Sequence, residues 1–465
     1  MKRSAVIPVG ITALSNFTSC NRIDKTDTEW YYIKRTFVLF GGAALNSSFY
    51  ICCDLKSFYA SVECVERGLD PMTAKLVVAD PERTEKTICL AVTPAMKALG
   101  VKNRCRIFEI PPGIEYITAP PRMKKYIDYS AVIYGVYLSF ISKDDIHVYS
   151  IDEAFIDVTH YLELYRMNAR QLAETIMREI YEKTGIRAAC GIGTNLYLAK
   201  IALDITAKHS DDFIGFLDEE TYRKTLWEHR PLTDFWRIGR GISEKLARGG
   251  IFTMGDIARS DEETLYRWFG TDAELLIDHA WGKETATIAD IKAYVPKENC
   301  LTSGQVLMRD YDFEEGELIV KEMTDALCLE MAAKSLATDS VTLNIGYSRK
   351  CGAGYSHATA RLDTKSSDGN LLIPLTVKLY RRTADRQLTI KRISITFNRV
   401  APETALQYSI FDSAASSDKE KNLQKAVVDI KQKYGKNSVF RAISLEKAAT
   451  ARERNRQIGG HKSGE

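Results

Sequence analysis

Cysteine is scarce in this chain, and long apolar runs are missing from it. The 465 residues include 10 cysteines, too few for a disulfide scaffold, and no two of them form a CxxC pair. No stretch reaches the ~18 consecutive apolar residues that span a bilayer, since the run Phe37–Leu45 is too short and contains two glycines. Lys2 and Arg3 precede an apolar stretch as in a signal peptide, but Pro8 and Gly10 interrupt that stretch. We therefore expect a cytoplasmic protein with reduced thiols and no membrane partner.

An excess of one charge sign is lacking as well. Lys and Arg number 64 against 61 Asp and Glu, a net charge of +3, which excludes a histone-like polybasic protein. Residues 49–215 nevertheless carry 20 basic and 22 acidic residues, whereas residues 345–400 carry eleven basic and three acidic ones. The charge is therefore divided along the chain, and the length suggests about three domains.

Carboxylates occur at two predicted strands. Asp54 follows the apolar run Phe49–Cys53, and Asp152 and Glu153 lie within a predicted strand over His147–Val158. Buried carboxylates require cationic partners or a metal ion, and hard oxygen ligands suit Mg²⁺. Three of them on neighbouring strands could hold two Mg²⁺ ions about 4 Å apart for an in-line phosphoryl displacement. Adjacent strand residues face opposite sides, so Asp152 and Glu153 can share a site only at a turn or bulge.

Composition alone leaves a second interpretation open, in which Asp54 caps a helix and the other two residues belong to a solvated hairpin turn. A specific resemblance favours the metal site. The motif Asp54-x-x-x-Phe58-Tyr59-Ala60-Ser61-Val62-Glu63, followed about a hundred residues later by Ser150-Ile151-Asp152-Glu153, resembles the Y-family (translesion) DNA polymerases and most of all their UmuC branch. The similarity runs from about residue 49 to the C-terminus.

The resemblance implies an α+β fold with a right-hand polymerase architecture. It comprises a palm, short fingers, a helical helix-hairpin-helix thumb, an α/β little finger and a C-terminal tail. The implied boundaries are palm 49–70 and 117–215, fingers 71–116, thumb 216–297, little finger 298–400 and tail 401–465, with residues 1–48 unassigned.

Apolar periodicity and turn residues add predictions for single elements. The predicted elements are a turn at Gly191–Gly193, a helix over Gly316–Leu336, strands over Val341–Tyr347, Leu371–Leu379 and Leu388–Phe397, a loose stretch over Ser413–Ser417 and a helix over Lys419–Tyr434.

The resemblance also implies roles for the residues of the strand–helix junction. Tyr59 takes the place of the steric gate, an aromatic ring under the incoming sugar that leaves no room for a 2′-hydroxyl. Phe58 and Tyr59 would line the nucleotide pocket, although aromatic residues at such a junction can equally be core residues. The implied catalytic and metal-binding groups, which would hold two Mg²⁺ ions, are the carboxylates of Asp54, Asp152 and Glu153 and the carbonyl of Leu55.

Lysines are the candidate ligands of the nucleotide triphosphate. Lys97 lies one turn into a helix predicted to begin at Pro94. In this helix the family usually has a tyrosine at the position of Pro94 and an arginine at the position of Lys97. Lysine gives charge without the bidentate fork of arginine. Lys200, Asp204 and Lys208 are spaced at i, i+4 and i+8, and Lys208 corresponds best to the family's triphosphate lysine, with one extra residue after Asp204. A solvated helix face would show the same spacing.

Two further regions suggest DNA binding. The segment Ile238-Gly239-Arg240-Gly241-Ile242 fits a helix-hairpin-helix, in which the backbone at Gly239 and Gly241 approaches a DNA phosphate, although an ordinary helix turn is the alternative. The basic region 345–400, with predicted strands such as Lys378–Arg382 and Lys391–Phe397, suits a duplex backbone unless it is merely a solvated face. Its candidate DNA-binding residues are Arg349, Lys350, Arg381, Arg382, Lys391 and Arg392.

A short motif in the tail suggests a protein partner. Gln407-Tyr408-Ser409-Ile410-Phe411 resembles the clamp-binding peptide of bacterial polymerases. Gln407, Ile410 and Phe411 would fill a pocket on the replication sliding clamp, as aliphatic and aromatic anchors do.

The sequence therefore predicts an error-prone, template-directed DNA polymerase that bypasses damaged bases by two-metal nucleotidyl transfer. We expect a monomer that binds primer–template DNA and dNTP. One alternative is a catalytically inactive DNA- and clamp-binding regulator of the damage response. Another is a nucleotidyl cyclase, which would need neither the glycine motif nor the basic region.

Overall fold

Two compact units make up the described part of the chain. The computed structural model describes residues 48–296, 298–352, 354–403 and 414–464. The first unit contains the described residues up to 295 together with 461–464, and the second runs from 296 to 460. None of the helices in these ranges is long and apolar enough to cross a membrane.

The first unit alternates short strands with helices. In chain order it contains β1 (Tyr50–Leu55), α1 (Phe58–Val65), β2 (Leu76–Val78), β3 (Ala91–Val92), α2 (Pro94–Ala98), β4 (Ile117–Ala119), α3 (Met123–Phe140), β5 (Ile146–Val148), β6 (Glu153–Asp157), α4 (Tyr161–Tyr165), α5 (Ala169–Thr184), β7 (Ala188–Gly193), α6 (Leu196–Ile201), β8 (Ile214–Leu217), α7 (Glu219–Leu226), α8 (Arg240–Arg248), α9 (Met254–Arg259), α10 (Glu262–Phe269), α11 (Asp272–Ala280) and α12 (Ile288–Ala293).

A five-stranded sheet in the order β5-β6-β1-β7-β8 forms the centre of the first unit. Strand β1 is antiparallel to both β6 and β7, and it is apolar because helices cover both faces of the sheet. Helix α5 begins at a capping box made by Asn168 and Gln171, ends at Gly185 in the left-handed region, and buries Leu172, Ile176 and Ile180. A second sheet has the order β3-β2-β4. Its strands β2 and β3 lie in the segment predicted as fingers, whereas β4 follows directly after that segment.

The strand predicted over His147–Val158 is interrupted. Strands β5 and β6 form an antiparallel hairpin, and the N–H groups of Tyr149 and Ser150 donate to the carbonyl of Glu153 across its turn. The prediction of a continuous strand was therefore wrong. The turn is the geometry that Asp152 and Glu153 need in order to share one site.

Gly191 and Gly193 lie inside the buried strand β7, so the predicted turn over Gly191–Gly193 was wrong. The two glycines allow the following helix to lie directly against the sheet. A Cβ atom on Gly191 would lie 2.1 Å from both the carbonyl oxygen of Ala199 and the amide nitrogen of Leu203, and one on Gly193 would lie 2.2 Å from the amide nitrogen of Ala199. The glycines therefore serve a close approach of backbone to backbone.

The second unit packs helices on one face of a four-stranded antiparallel sheet, in the order β11-β10-β12-β9. The elements after residue 296 are β9 (Asn299–Tyr311), α13 (Phe313–Ala333), β10 (Leu336–Tyr347), β11 (Tyr355–Ser366), α14 (Gly369–Thr383), β12 (Ile390–Pro402), α15 (Ala414–Tyr434), α16 (Ala451–Arg454), β13 (Gln457–Ile458) and β14 (His461–Lys462), the last of which belongs to the first unit.

The second unit differs from the sequence-based predictions in three respects. The apolar run Leu371–Leu379 is helical, because Asp368 caps helix α14 and Leu372, Thr376 and Tyr380 recur at helical spacing on its buried side. Strands β9 and β11 were missed; β11 alternates half-buried and exposed residues along its whole length. The helix predicted from Lys419 already begins at Ala414, so most of the predicted loose stretch is helical, while Ser413 lies outside the described residues.

The described tail packs on the second unit. The side chain of Gln424 donates to the carbonyl of Ser367, and Lys421 pairs with Glu403 at 2.6 Å. Farther along, the amide of Thr450 donates to the carboxylate of Glu322 at 2.8 Å. The second unit therefore includes residues well beyond 400.

We expect Gly191→Ala to lower the free energy of unfolding of the first unit by about 3 kcal/mol, since backbone atoms of α6 cannot move aside without separating from the sheet. Urea denaturation followed by tryptophan fluorescence measures this change, because all five tryptophans lie between Trp30 and Trp281. Gly135→Ala is the control; nothing lies within 4 Å of its Cβ position in α3, so this change should stabilise the helix by up to about 1 kcal/mol. An equal effect of both substitutions would contradict the close-packing argument.

Candidate active site

The three predicted carboxylates meet at one end of the central sheet. Asp54 at the end of β1 is paired directly with Glu153 at the start of β6, so both side chains leave the same face. The amide of Leu55 donates to the carbonyl of Asp152 at 3.0 Å. The hydroxyl of Ser150 donates to Oδ1 of Asp152 at 2.6 Å and orients that carboxylate. The backbone therefore brings the three predicted residues to one end of the sheet.

Glu153 is held by a buried lysine. Nζ of Lys200 lies 2.8 Å from Oε1 of Glu153, and the thiol of Cys52 donates to the same oxygen at 3.2 Å. Burial opposes the charge of Lys200, but Cys52, Glu153 and Asp204 outweigh it and raise the pKa of this lysine. Burial also raises the pKa of Glu153, and Lys200 opposes that rise. Lys200 therefore supplies a positive charge next to the carboxylate cluster.

Burial and the negative charges of neighbouring groups act together on Asp54. Burial, followed by the charges of Asp152 and Glu153, raises the pKa of Asp54 to about 8, although Lys200 works in the opposite direction. A carboxyl with such a pKa is protonated at neutral pH unless a cation lies beside it. The cluster is therefore short of positive charge.

The residues present fit a divalent metal ion in their chemistry. Asp54, Asp152 and Glu153 offer the hard oxygen ligands that Mg²⁺ prefers, and their mutual repulsion is what a cation would relieve. In the described ranges, however, no three His, Cys, Asp or Glu side chains lie close enough together to hold a metal ion. Glu153 is turned to Lys200 instead.

Tyr59 lies beside the carboxylates. Its ring stacks on the ring of Tyr126 with centroids 4.5 Å apart, and Phe58 packs at 5.7 Å from it. Burial and the nearby charge of Asp152 raise the pKa of Tyr59 to about 12. Phe58 is buried in the core, whereas Tyr59 is only half-buried. Of the two aromatic residues, Tyr59 is therefore the one that faces the site.

A buried acidic residue fixes the ring on which Tyr59 stacks, and the sequence did not reveal this role. The hydroxyl of Tyr126 donates to Glu63 at 2.8 Å, and Arg122 pairs with the same carboxylate at 2.8 Å. Glu63 is fully buried, and its hydrogen bonds with Arg122, Arg67 and Tyr126 outweigh desolvation and lower its pKa. The spacing of Glu63 from Tyr59, one helical turn, was the available signal.

The predicted triphosphate lysines are brought to the same side of the cluster. Lys208, after α6, is close enough for its charge to act on Lys97 in α2, and the charges of both lysines act on Lys56. Desolvation and this like-charge crowding lower the pKa of Lys56 and of Lys97, against the pull of Asp54. Lys56 was not among the predicted site residues. Three lysines beside acidic groups create a place for a polyanion.

Ser57 marks the turn between β1 and α1. Its backbone is in the left-handed region, with φ 48°, which is uncommon for a residue other than glycine. Its buried hydroxyl has no hydrogen-bond partner among the described residues. Strain and an unsatisfied donor at a helix start beside three lysines suit an anionic ligand.

The glycine motif opens helix α8 as predicted. Gly239 is the N-cap of α8, and neither Gly239 nor Gly241 has an atom within 4 Å of the place a Cβ would take. Both are exposed, whereas Leu246 is buried on the inner side of the helix. The backbone at the start of α8 is therefore open to a ligand from outside.

The predicted basic residues of the second unit lie on two different faces. Lys350 and Lys391 each lie 3.7 Å from Asp310, near the sheet end where Arg349 begins a 3₁₀ turn. Arg392 belongs to β12 and is exposed on the sheet face away from the helices. By contrast, the predicted strand containing Lys378–Arg382 was wrong. That segment ends helix α14, and Arg381 pairs with Glu317 of α13 while Arg382 is its neighbour in the helix layer.

The predicted clamp-binding residues Gln407, Ile410 and Phe411 lie outside the described residues.

Comparisons with known proteins give a consistent result. Residues 53–204 match the impB/mucB/samB family, and residues 302–410 match the C-terminal domain of the same family. The chain is 30% identical over 415 residues to a putative UV-damage repair protein UvrX of Bacillus subtilis, covering 89% of this chain and 97% of that protein. It is 28% identical over 411 residues to a DNA polymerase IV 2 of Halalkalibacterium halodurans, covering 88% and 98%.

A solved structure gives the same result for the fold. A Y-family DNA polymerase chimera matches with a TM-score of 0.61 and 21% identity, over 76% of this chain and 99% of that one. Similarity at this identity supports the fold, and with it the α+β right-hand architecture implied by the sequence.

We expect Asp54→Asn to stabilise the metal-free protein at pH 8 more than at pH 5. The carboxyl has an ordinary pKa of 3.8 in the unfolded chain and a pKa of about 8 in the folded protein. The folded state therefore binds more protons and loses stability as the pH rises through this window. With EDTA present, Tm at pH 8 should rise by about 3 °C or more. The same change at exposed Asp128 is the control, and an equal gain at both pH values would refute the electrostatic argument.

Mg²⁺ should raise the Tm of the wild-type protein at pH 8, because a cation relieves the same repulsion. The increase should be much smaller for Asp54→Asn. A calorimetric scan with and without Mg²⁺ measures both.

Proposed function

Because this chain belongs to the impB/mucB/samB family, we propose that it is an error-prone, template-directed DNA polymerase that copies past damaged template bases. The observation that carries the proposal is the meeting of Asp54, Asp152 and Glu153 at one sheet end, beside three lysines and Tyr59. The names of its relatives, a DNA polymerase IV 2 and a putative UV-damage repair protein, support it.

Asp54, Asp152 and Glu153, with the carbonyl of Leu55, would hold two Mg²⁺ ions. When bound, such ions stabilise the attacking and leaving oxygens of an in-line displacement at the α-phosphate of a dNTP. The raised pKa of Lys200 keeps this lysine charged, so it neutralises the cluster and takes no proton from the primer hydroxyl.

Lys56, Lys97 and Lys208 would attract the triphosphate. The three positive charges repel one another, and a bound polyanion would offset this repulsion. The hydroxyl of Ser57 and the backbone N–H groups of this strained turn would donate hydrogen bonds to a phosphate oxygen. Tyr59, fixed by its stack on Tyr126, would lie under the sugar and exclude a 2′-hydroxyl.

Primer–template DNA would be held by two surfaces. The exposed backbone at Gly239 and Gly241 suits a phosphate of the duplex, independent of its sequence. On the second unit, Arg349 and Arg392 are the better candidates. Arg381 is already paired with Glu317, and Lys350 and Lys391 are both paired with Asp310. We retain the division into palm, fingers, thumb and little finger as a proposal. The same holds for capture of the sliding clamp by residues 407–411 and for the monomeric state.

The deciding experiment is primer extension with dNTP and Mg²⁺. Asp152→Ala should lower kcat by more than about 100-fold, since losing even an outer partner of a metal ligand costs 10–100-fold. Asp128→Ala removes an exposed carboxylate and should leave the rate unchanged. A wild-type protein that binds primer–template but adds no nucleotide would overturn the proposal in favour of the inactive regulator.

Tyr59→Ala should raise the ratio of ribonucleotide to deoxyribonucleotide incorporation by at least about 10-fold, because removing the ring opens space for a 2′-hydroxyl. Tyr59→Phe keeps the ring and should preserve sugar selection. Steady-state kcat/KM for ATP and dATP measures the ratio. Unchanged selectivity in Tyr59→Ala would remove the steric-gate assignment.

A further inference from the structure

A line of alternating charges connects the carboxylate cluster to the triphosphate lysine. Nζ of Lys200 lies 2.8 Å from Glu153 and 3.1 Å from Asp204. Oδ1 of Asp204 lies 3.9 Å from Nζ of Lys208. The order is therefore Glu153, Lys200, Asp204, Lys208, with an anion followed by a cation at each step.

The two ends of this line differ in exposure. The side chain of Lys200 is 9% exposed, whereas that of Lys208 is 63% exposed. A solvated helix face, the alternative that the spacing left open, would expose both lysines equally. Lys200 is instead part of the interior, and Asp204 lies between it and the surface.

A π-helical turn lies within this line. Residues Ala202–Thr206 form a π turn directly after α6, and Asp204 is in its middle. In an α-helix each residue advances by about 100°, so Lys208, eight residues after Lys200, would be rotated about 80° from it. A π turn accommodates one extra residue, so Lys208 instead takes the place of a seventh residue, about 20° from Lys200. The extra residue after Asp204 is thereby absorbed.

Glycines hold this turn against the sheet. A Cβ atom on Gly215 of β8 would lie 2.5 Å from the carbonyl oxygen of Ala202, and one on Gly191 of β7 would lie 2.1 Å from the amide nitrogen of Leu203. Because backbone meets backbone here, the π turn cannot slide along the sheet. The position of Asp204 is therefore set by the sheet that also carries the cluster.

We propose that Asp204 is a positioning residue that holds Lys208 beside the triphosphate of the incoming nucleotide, with the π turn rotating Lys208 towards the side of the helix that carries Lys200. Asp204 itself touches no reacting atom in this assignment; it acts through Lys208. The inference rests on the proposed polymerase function and adds to it how one triphosphate ligand is placed.

The charge of Asp204 makes the proposal easy to distinguish from its alternative. A carboxylate that does nothing but neutralise Lys200 would also repel the triphosphate, so removing it should improve nucleotide binding. A carboxylate that positions Lys208 should weaken nucleotide binding when removed, in spite of the lost repulsion. The two roles therefore predict opposite signs.

The first test compares the full-length wild-type protein with Asp204→Asn, Asp204→Glu and the control Asp211→Asn, an exposed acid in the same segment. We expect Asp204→Asn to raise KM for dNTP about 5-fold, with kcat within about twofold. The dissociation constant of dNTP from a complex with a dideoxy-terminated primer should rise by the same factor, which corresponds to about 1 kcal/mol. Asp204→Glu should recover most of the affinity, and Asp211→Asn should match the wild type.

A double-mutant cycle with Lys208→Met isolates the route of the effect. If Asp204 acts through Lys208, Asp204→Asn should cause no further loss in the Lys208→Met background. An unchanged or lowered KM in Asp204→Asn, or equal losses in both backgrounds, would overturn the positioning role while primer extension by the wild type still supports the polymerase. A wild-type protein without primer extension would overturn both. Thermal unfolding of each variant separates a misfolded protein from a weakened site.

Discussion

The ion pair between Lys200 and Glu153 is the interaction on which the candidate site depends. Three carboxylates at one end of a sheet repel one another, and burial together with this repulsion raises the pKa of Asp54. Without a buried cation, the hairpin that carries Asp152 and Glu153 could not lie beside β1 at this cost. Lys200, which belongs to α6, offsets part of the negative charge of the carboxylates. The folded protein can therefore hold the three carboxylates together, although the cluster still lacks positive charge.

Backbone contact is what places that lysine. Gly191, Gly193 and Gly215 let α6 and the π turn after it lie directly on β7 and β8. Lys200 is thereby fixed above the sheet end by main-chain contacts, together with the buried apolar side chains of α6. The close packing at these glycines therefore determines the distance between Lys200 and Glu153.

Much of the site could be predicted from the sequence, because the carboxylates and Tyr59 belong to a specific motif, and family membership confirms the resemblance on which it was based. The run Leu371–Leu379 was misread as a strand, since a short apolar stretch fits a buried strand and a buried helix equally well. Gly191 was misread as a turn residue. Glycine is required there because a Cβ atom would collide with the backbone of Ala199, eight residues later. The roles of Lys56, Ser57 and Lys200 depend on which elements meet in space, which spacing along one chain does not reveal.

Cys52 gives the floor of this site a chemical property of its own. Burial and the adjacent Glu153 raise the pKa of its thiol well above the ordinary value. Oxidants and alkylating agents react with the thiolate, and at neutral pH this group is almost entirely the thiol. The sulfur that hydrogen-bonds Glu153 is therefore poorly nucleophilic, and the candidate site should withstand an oxidising milieu that would inactivate an exposed cysteine.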